Sequence, residues 1–294
     1  MAAPETTNPQ PAPLVNWQSV ACWSALAALF LLLYFTTLRG LLEDWWNDPD
    51  YSHGMIVPFV AAYIVFRRRE TLRRLPRDPR LFPATAVILT SQFVFLAGYF
   101  GAEFFLQRSS IVIFLAGMIL LLLGWDHLRQ LLLPLLLVEL CIPLPAVLMN
   151  QITLPLQLIA SRGSEIVLRS CGVSVYRTGN LLQMARQTLN VAEACSGIRS
   201  LVSLITLAVI MVSFTRMHWL ARVAFVASAA GVAIVANGVR VSAAGLLGYY
   251  IGPRYTVGFW HLLEGWSVFV VAFLMLAGEL KLMERIARGR VRSS

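Results

Sequence analysis

Charge is what this chain has least of. Only 13% of its 294 residues are Asp, Glu, Lys or Arg, against roughly 25% in soluble domains. That shortage excludes a water-soluble core, because 58% of the residues are hydrophobic and fall in blocks of about 18 to 22, long enough to cross a bilayer. Acidic residues are scarcer than basic ones, 15 against 24, which leaves a net charge of +9. The excess does not point to nucleic acid: the basic residues, nearly all Arg, sit in short gaps between apolar blocks, with no basic stripe interleaved with aromatics. Cysteine is scarce too. Cys22, Cys141, Cys171 and Cys195 form no CxxC or Cys/His spacing, so a structural zinc site is not expected. Cys22 and Cys141 lie inside apolar blocks and read as packing residues. The N-terminus lacks a basic n-region and a small-residue cleavage site, so the first apolar block is expected to be a retained helix.

What is there is an all-α polytopic pattern. The apolar blocks predict about eight transmembrane helices at 18–38, 54–67, 82–100, 109–124, 129–149, 196–214, 220–248 and 260–280. The fifth should kink at Pro134, Pro143 and Pro145. Residues 1–16 read as a disordered cytoplasmic tail, 17–284 as a single transmembrane domain, and 285–294 as a basic cytoplasmic tail. Between the fifth and sixth helices, QITLPLQLIASRGSEIVLRS reads as a helix in the membrane interface. The β-branched residues around Thr178-Gly179-Asn180 then predict a small hairpin. The Arg-rich gap at 67–80, the pair Arg216 and Arg222, and the tail from Lys281 all fall on one side of an eight-helix map. Their charge makes that side cytoplasmic. Residues 39–53, the gap near 101–108, 150–195 and 249–259 then face outward.

Three motifs carry chemistry. In NVAEACSGIRSL, Cys195 stands at the expected N-terminus of the sixth helix, where free N–H groups favour a thiolate. Arg199 is four residues on, on the same face. In ANGVRVSAAG, Arg240 lies within an apolar run, where a cation pairs or lines a polar cavity. In GFWHLLEGW, His261 opens the last helix with Glu264 one turn on, and an imidazole there could serve as acid or base. Each has a plainer reading. Cys195 could be a buried small hydrophobe or a disulfide partner of Cys171. Arg240 could snorkel to headgroups, and His261 could belong to an interfacial belt with Trp260 and Trp266.

Depth favours the chemical reading. At 1.5 Å per residue, Cys195 lies about 31 Å from Arg216, Arg240 about 27 Å from Arg222, and His261 about 30 Å from Lys281. The hydrocarbon core is about 30 Å thick, so all three reach the same outer boundary on consecutive helices. A thiol, a cation and an imidazole at one level make a nucleophile, a charge stabiliser and an acid/base. His53, in DPDYSHGMIVP, ends the first outer loop on the same side; Gly54 and Pro58 beside it read as architectural.

Taken in order, YSHG at 51–54, EACSGIRS at 193–200, NGVRV at 237–241 and the His of FWHLLEG at 259–265 resemble the exosortase/archaeosortase family. The resemblance implies a membrane-embedded cysteine protease or transpeptidase with Cys195 as nucleophile, Arg240 as cation and His261 as acid/base partner. His53, Glu193, Ser196, Gly197, Arg199, Asn237 and Glu264 would support the site or bind substrate. It further implies the inner membrane as location and, as substrates, membrane-anchored proteins bearing a C-terminal sorting signal: a short motif, a membrane helix and a basic end. No metal or organic cofactor is expected. Two other readings remain open from the residues: a transporter or channel with Arg240 and Glu264 on the solute path, and a non-catalytic scaffold of an export or polysaccharide system. Internal inverted repeats would mark the transporter, and the sequence contains none.

Overall fold

The computed structural model describes residues 17–48, 50–185, 187–191, 197–215, 217–252 and 259–292, without the side chains of 17–27, 197–199, 259–264 and 287–292. Its elements in chain order are α1 (Trp17–Asn47), a 3-10 turn (Ser52–Met55), α2 (Val57–Arg67), α3 (Arg69–Arg74), α4 (Leu81–Phe100), α5 (Phe104–Leu122), α6 (Trp125–Glu139) and α7 (Ala146–Ser170). Three short strands follow, β1 (Val175–Thr178), β2 (Leu181–Met184) and β3 (Gln187–Asn190), then α8 (Gly197–Ser213), α9 (Trp219–Tyr250) and α10 (Phe259–Arg292). Among the described residues, four helical stretches are long and apolar enough to cross a membrane: α4, α5, α9 and Gly265–Ile286 of α10. The fold is therefore a helical membrane protein carrying one small sheet. The tail at 1–16 lies outside the described residues. At the other end α10 runs unbroken to Arg292.

The structure corrects the predicted fifth helix. Pro134 sits inside α6, but the helix stops at Glu139 and a new one starts at Ala146, with Pro145 as its N-cap. Pro143 and Pro145 have no N–H to continue the ladder, and each disfavours a helical residue before it. The break is held rather than loose. Trp45 Nε1 donates to the Cys141 carbonyl at 2.8 Å, and the Tyr51 hydroxyl accepts from the Leu144 amide at 3.1 Å. Cys141 is fully buried beside it, as a packing residue should be.

α9 is the hub of the second half. It packs against α7, α8 and α10 and touches β3. Leu204, Ala208 and Val212 of α8 meet Phe225, Ala229 and Ala233 of α9 and Ala272 and Leu276 of α10 in one buried cluster. The alanines allow close helix approach where lipid supplies no hydrophobic drive. In the first half, α1, α2 and α6 share a cluster that reaches α8 through Val209. α4 and α5 form a tight hairpin in which Gly117 lies against Ile88. Two polar pairs tie this half together near the α4–α5 turn. Arg108, almost fully buried, bonds Asp44 at 2.7 Å, and the Ser109 hydroxyl donates to Glu139 at 2.7 Å. Glu103 caps α5 by accepting from the Phe105 amide.

The predicted hairpin is present, with one strand more. β1 and β2 pair antiparallel with Thr178 opposite Leu181, and Gly179 takes φ +63 in the two-residue turn, a conformation glycine adopts without a Cβ penalty. β3 then pairs with β2, with Gln187 opposite Met184. Val175, Leu182, Met184 and Leu189 point inward onto Ala160 and Leu168 of α7 and Val241 and Ala244 of α9. The sheet thus lies across the end of α9 that carries Arg240.

Candidate active site

The Cys195 motif lies largely outside the described residues: this holds for Glu193, Cys195 and Ser196 entirely, and for the side chains of Arg199, His261 and Glu264. What is described is the frame around them. α8 begins at Gly197, two residues after Cys195, and descends beside α9. Leu201 of α8, Leu156 of α7 and Ala233, Ile234 and Asn237 of α9 line a small cavity below that point. Asn237 is nearly fully buried there.

Arg240 stands one turn further along α9. Its guanidinium lies flat on the backbone of α10: a Cβ built on Gly265 would sit 3.2 Å from Nη2, 3.3 Å from Cζ and 3.5 Å from Nη1. Arg240 is half-buried, so this is a cation held between two helices and not one reaching free to headgroups. Gly265 is four residues beyond His261, hence one turn along the same helix face. Phe269, Ala272 and Leu276 continue that face into the α8–α9 cluster. The helix positions bearing His261 and Arg240 are therefore neighbours across the α9–α10 interface.

Below the sheet, polar groups fix α7 on α9 around the same level. The Ser164 hydroxyl donates to the Gly238 carbonyl at 3.2 Å, and the Ser242 hydroxyl donates to Ser164 at 3.1 Å. Gln187 of β3 donates to the Gly245 carbonyl at 3.2 Å. Gly248 leaves space for that amide, since a Cβ there would lie 2.1 Å from its oxygen. On α7, Glu165 accepts from Arg169 and from Arg177 of β1, each at 2.7 Å. Cys171, at the end of α7, is an exposed free thiol.

His53 belongs to a different part of the frame. It sits in the 3-10 turn, 6.2 Å from the Tyr51 ring, and its described partners are the carbonyls of Leu140 and Asp50. Its Nε2 is buried with no hydrogen-bond partner among the described residues. Burial pushes its pKa below the usual histidine value, and those two carbonyls oppose the shift. Gly54 next to it is buried against the Trp45 indole, where a Cβ would lie 2.3 Å from Nε1, and Pro58 opens α2. Both are architectural, as their types suggested. Among the described residues, then, the structure places Arg240 and Asn237 together and puts His53 with the α6–α7 break.

Sequence reasoning missed Gly265, the seat of the guanidinium, although a glycine four residues after a candidate histidine was a visible signal. It also missed the Arg108–Asp44 pair, for which spacing holds no signal, since the partners are on α5 and α1.

These features define a polytopic helical membrane protein in which Asn237 of α9 lies beside α7 and α8 and Arg240 of α9 lies against α10. The chain belongs to the transmembrane exosortase family, whose model matches residues 45–278, a span that contains all four motifs. No curated protein and no solved structure matches it.

Proposed function

We propose that this protein is a membrane-embedded cysteine transpeptidase or endopeptidase that cleaves C-terminal sorting signals of exported proteins at the extracytoplasmic face of the inner membrane. The observation that carries the reading is the guanidinium of Arg240, held against α10 one turn from His261 instead of extending into headgroups. Membership of the exosortase family supports it.

The chemistry follows from the groups. In this reading Cys195, two residues ahead of α8, is favoured as a thiolate by the free N–H groups of that helix end. The thiolate attacks the scissile carbonyl, and the Arg240 fork stabilises the oxyanion. His261 protonates the leaving amine as the C–N bond breaks, leaving a thioester on Cys195. An acceptor nucleophile, deprotonated by His261, then displaces the thiolate; water in that role gives hydrolysis. The Arg-rich end of the helices faces the cytoplasm in this reading.

The test is to incubate the full chain in membranes with an anchored protein carrying a candidate C-terminal signal. A thioester adduct on Cys195 should appear by mass spectrometry. Cys195→Ala should abolish cleavage and Cys171→Ala should leave it within about twofold, as expected for an exposed surface substitution. Full cleavage in Cys195→Ala would overturn the thiol mechanism, and absence of both cleavage and adduct in wild type would favour the scaffold.

A further inference from the structure

At the Arg-rich end, α2, α6, α8 and α9 meet around two guanidiniums that form no ion pair with an acid among the described residues. Arg68 closes α2 and donates to the Gln130 carbonyl at 2.6 Å and to the Ser213 carbonyl, at the end of α8, at 3.1 Å. Arg222, in the first turn of α9, donates to the Thr215 carbonyl at 2.9 Å. Its Nε is buried with no acceptor among the described residues. Both side chains are half-buried, and the two charges are close enough to repel. The acids in the neighbouring loops are engaged elsewhere: Glu70 with Arg69 and Arg73, Asp78 with Arg80, Asp126 with Arg129. The carbonyl dipoles at the end of α8 offset part of this charge, but two partly desolvated cations side by side call for an anion.

The surroundings say which anion. Tyr63 of α2 and Phe214 beyond α8 bring their rings to 6.3 Å on the exposed surface, and Phe66, whose ring carries the Arg69 guanidinium at 4.1 Å, is exposed three residues along α2 from Tyr63. Cations at the end of a bundle, directly above exposed aromatics, match a phosphate joined to an acyl chain. Basic pockets between transmembrane helices at the cytoplasmic side bind lipid headgroups for this reason. We propose that Arg68 and Arg222 form a site for the phosphate of an anionic phospholipid, whose acyl chains lie along Tyr63, Phe66 and Phe214. The site does not depend on the cysteine chemistry and lies at the opposite end of α8 and α9 from it.

The experiment uses the full chain purified in neutral detergent. It is titrated with phosphatidylglycerol, phosphatidylcholine or inorganic phosphate, and bound lipid is read by native mass spectrometry. Wild type should bind phosphatidylglycerol at least about tenfold more tightly than phosphatidylcholine, whose phosphate carries a tethered cation that two adjacent guanidiniums repel. Equimolar inorganic phosphate should not displace it. Arg222→Gln should erase the preference, as should Arg68→Lys, which keeps the charge but loses the fork. Arg74→Gln, in the exposed α3, should retain it. Equal affinity for the two lipids overturns the proposal. So does displacement by inorganic phosphate, which would mean a solute-anion site, and so does an equal loss in Arg74→Gln, which would mean diffuse surface charge. If Arg68→Lys fails to fold, Arg222→Gln decides alone, because Arg222 holds one carbonyl among the described residues where Arg68 holds two.

Discussion

Arg240 and Gly265 act as one unit. The guanidinium plane needs the bare backbone at 265, because any Cβ there falls within 3.2–3.5 Å of it. Arg240→Lys keeps the charge but loses the planar fork, so cleavage should fall about a hundredfold, the usual cost of one oxyanion donor. Gly265→Ala asks the guanidinium to shift by a few tenths of an ångström and should cost much less. Gly265→Val should approach the Arg240→Lys loss while the protein still inserts and purifies normally. Cleavage rates of the three variants check this, and a Gly265→Val enzyme of wild-type rate would dissociate the guanidinium's seat from its function. His53 gives a residue-scale prediction of another kind. Its folded pKa lies below the unfolded value of about 6.5, so the unfolded state takes up its proton first as pH falls. The stability it contributes is complete above about pH 6.5 and is lost as pH drops below that value. Thermal unfolding in detergent at pH 7.5 and 5.5 should show a larger drop for wild type than for His53→Gln.

Between elements, the sheet and α9 are joined at glycines. Gln187 reaches the Gly245 carbonyl only because Gly248 has no side chain. Gly248→Ala should force the amide away and cost about 1 kcal/mol for the lost hydrogen bond, with the Leu182–Leu189 region exchanging its amide hydrogens faster. An unchanged exchange rate would show that the buried face of Leu182, Met184 and Leu189 holds the sheet without it. The α6–α7 break has a comparable clamp in Trp45 and Tyr51, which supply a donor and an acceptor to a backbone that Pro143 and Pro145 have stripped of helical bonds.

For the whole molecule, the sidedness of the charge sets an expectation about topology. In a background lacking other cysteines, Gln183→Cys on the exposed face of β2 should be labelled by a membrane-impermeant thiol reagent in intact spheroplasts. Arg74→Cys in α3 should be labelled only after lysis. The reverse pattern would place the Cys195 end in the cytoplasm and remove an extracytoplasmic substrate from consideration.

The sequence by itself determined that lipid is the solvent, where α2, α4, α5, α8 and α9 run within about five residues and where α10 begins, that a hairpin turns at Gly179-Asn180, and which family the motifs resemble. These follow from apolar run length, charge-free stretches and turn chemistry, all properties of contiguous residues. The split of the fifth helix was half legible: the prolines were visible, but whether they kink or break depended on Trp45 and Tyr51, about 90 residues away. Only tertiary structure decided that β3 joins the hairpin, that His53 sits with the α6–α7 break, and that Arg240 rests on Gly265. Each of these pairs groups far apart in the chain, and no local period encodes which helix face meets which. Equal depth in the membrane can be computed from 1.5 Å per residue; rotation of one helix against another is set by the alanines and glycines between them.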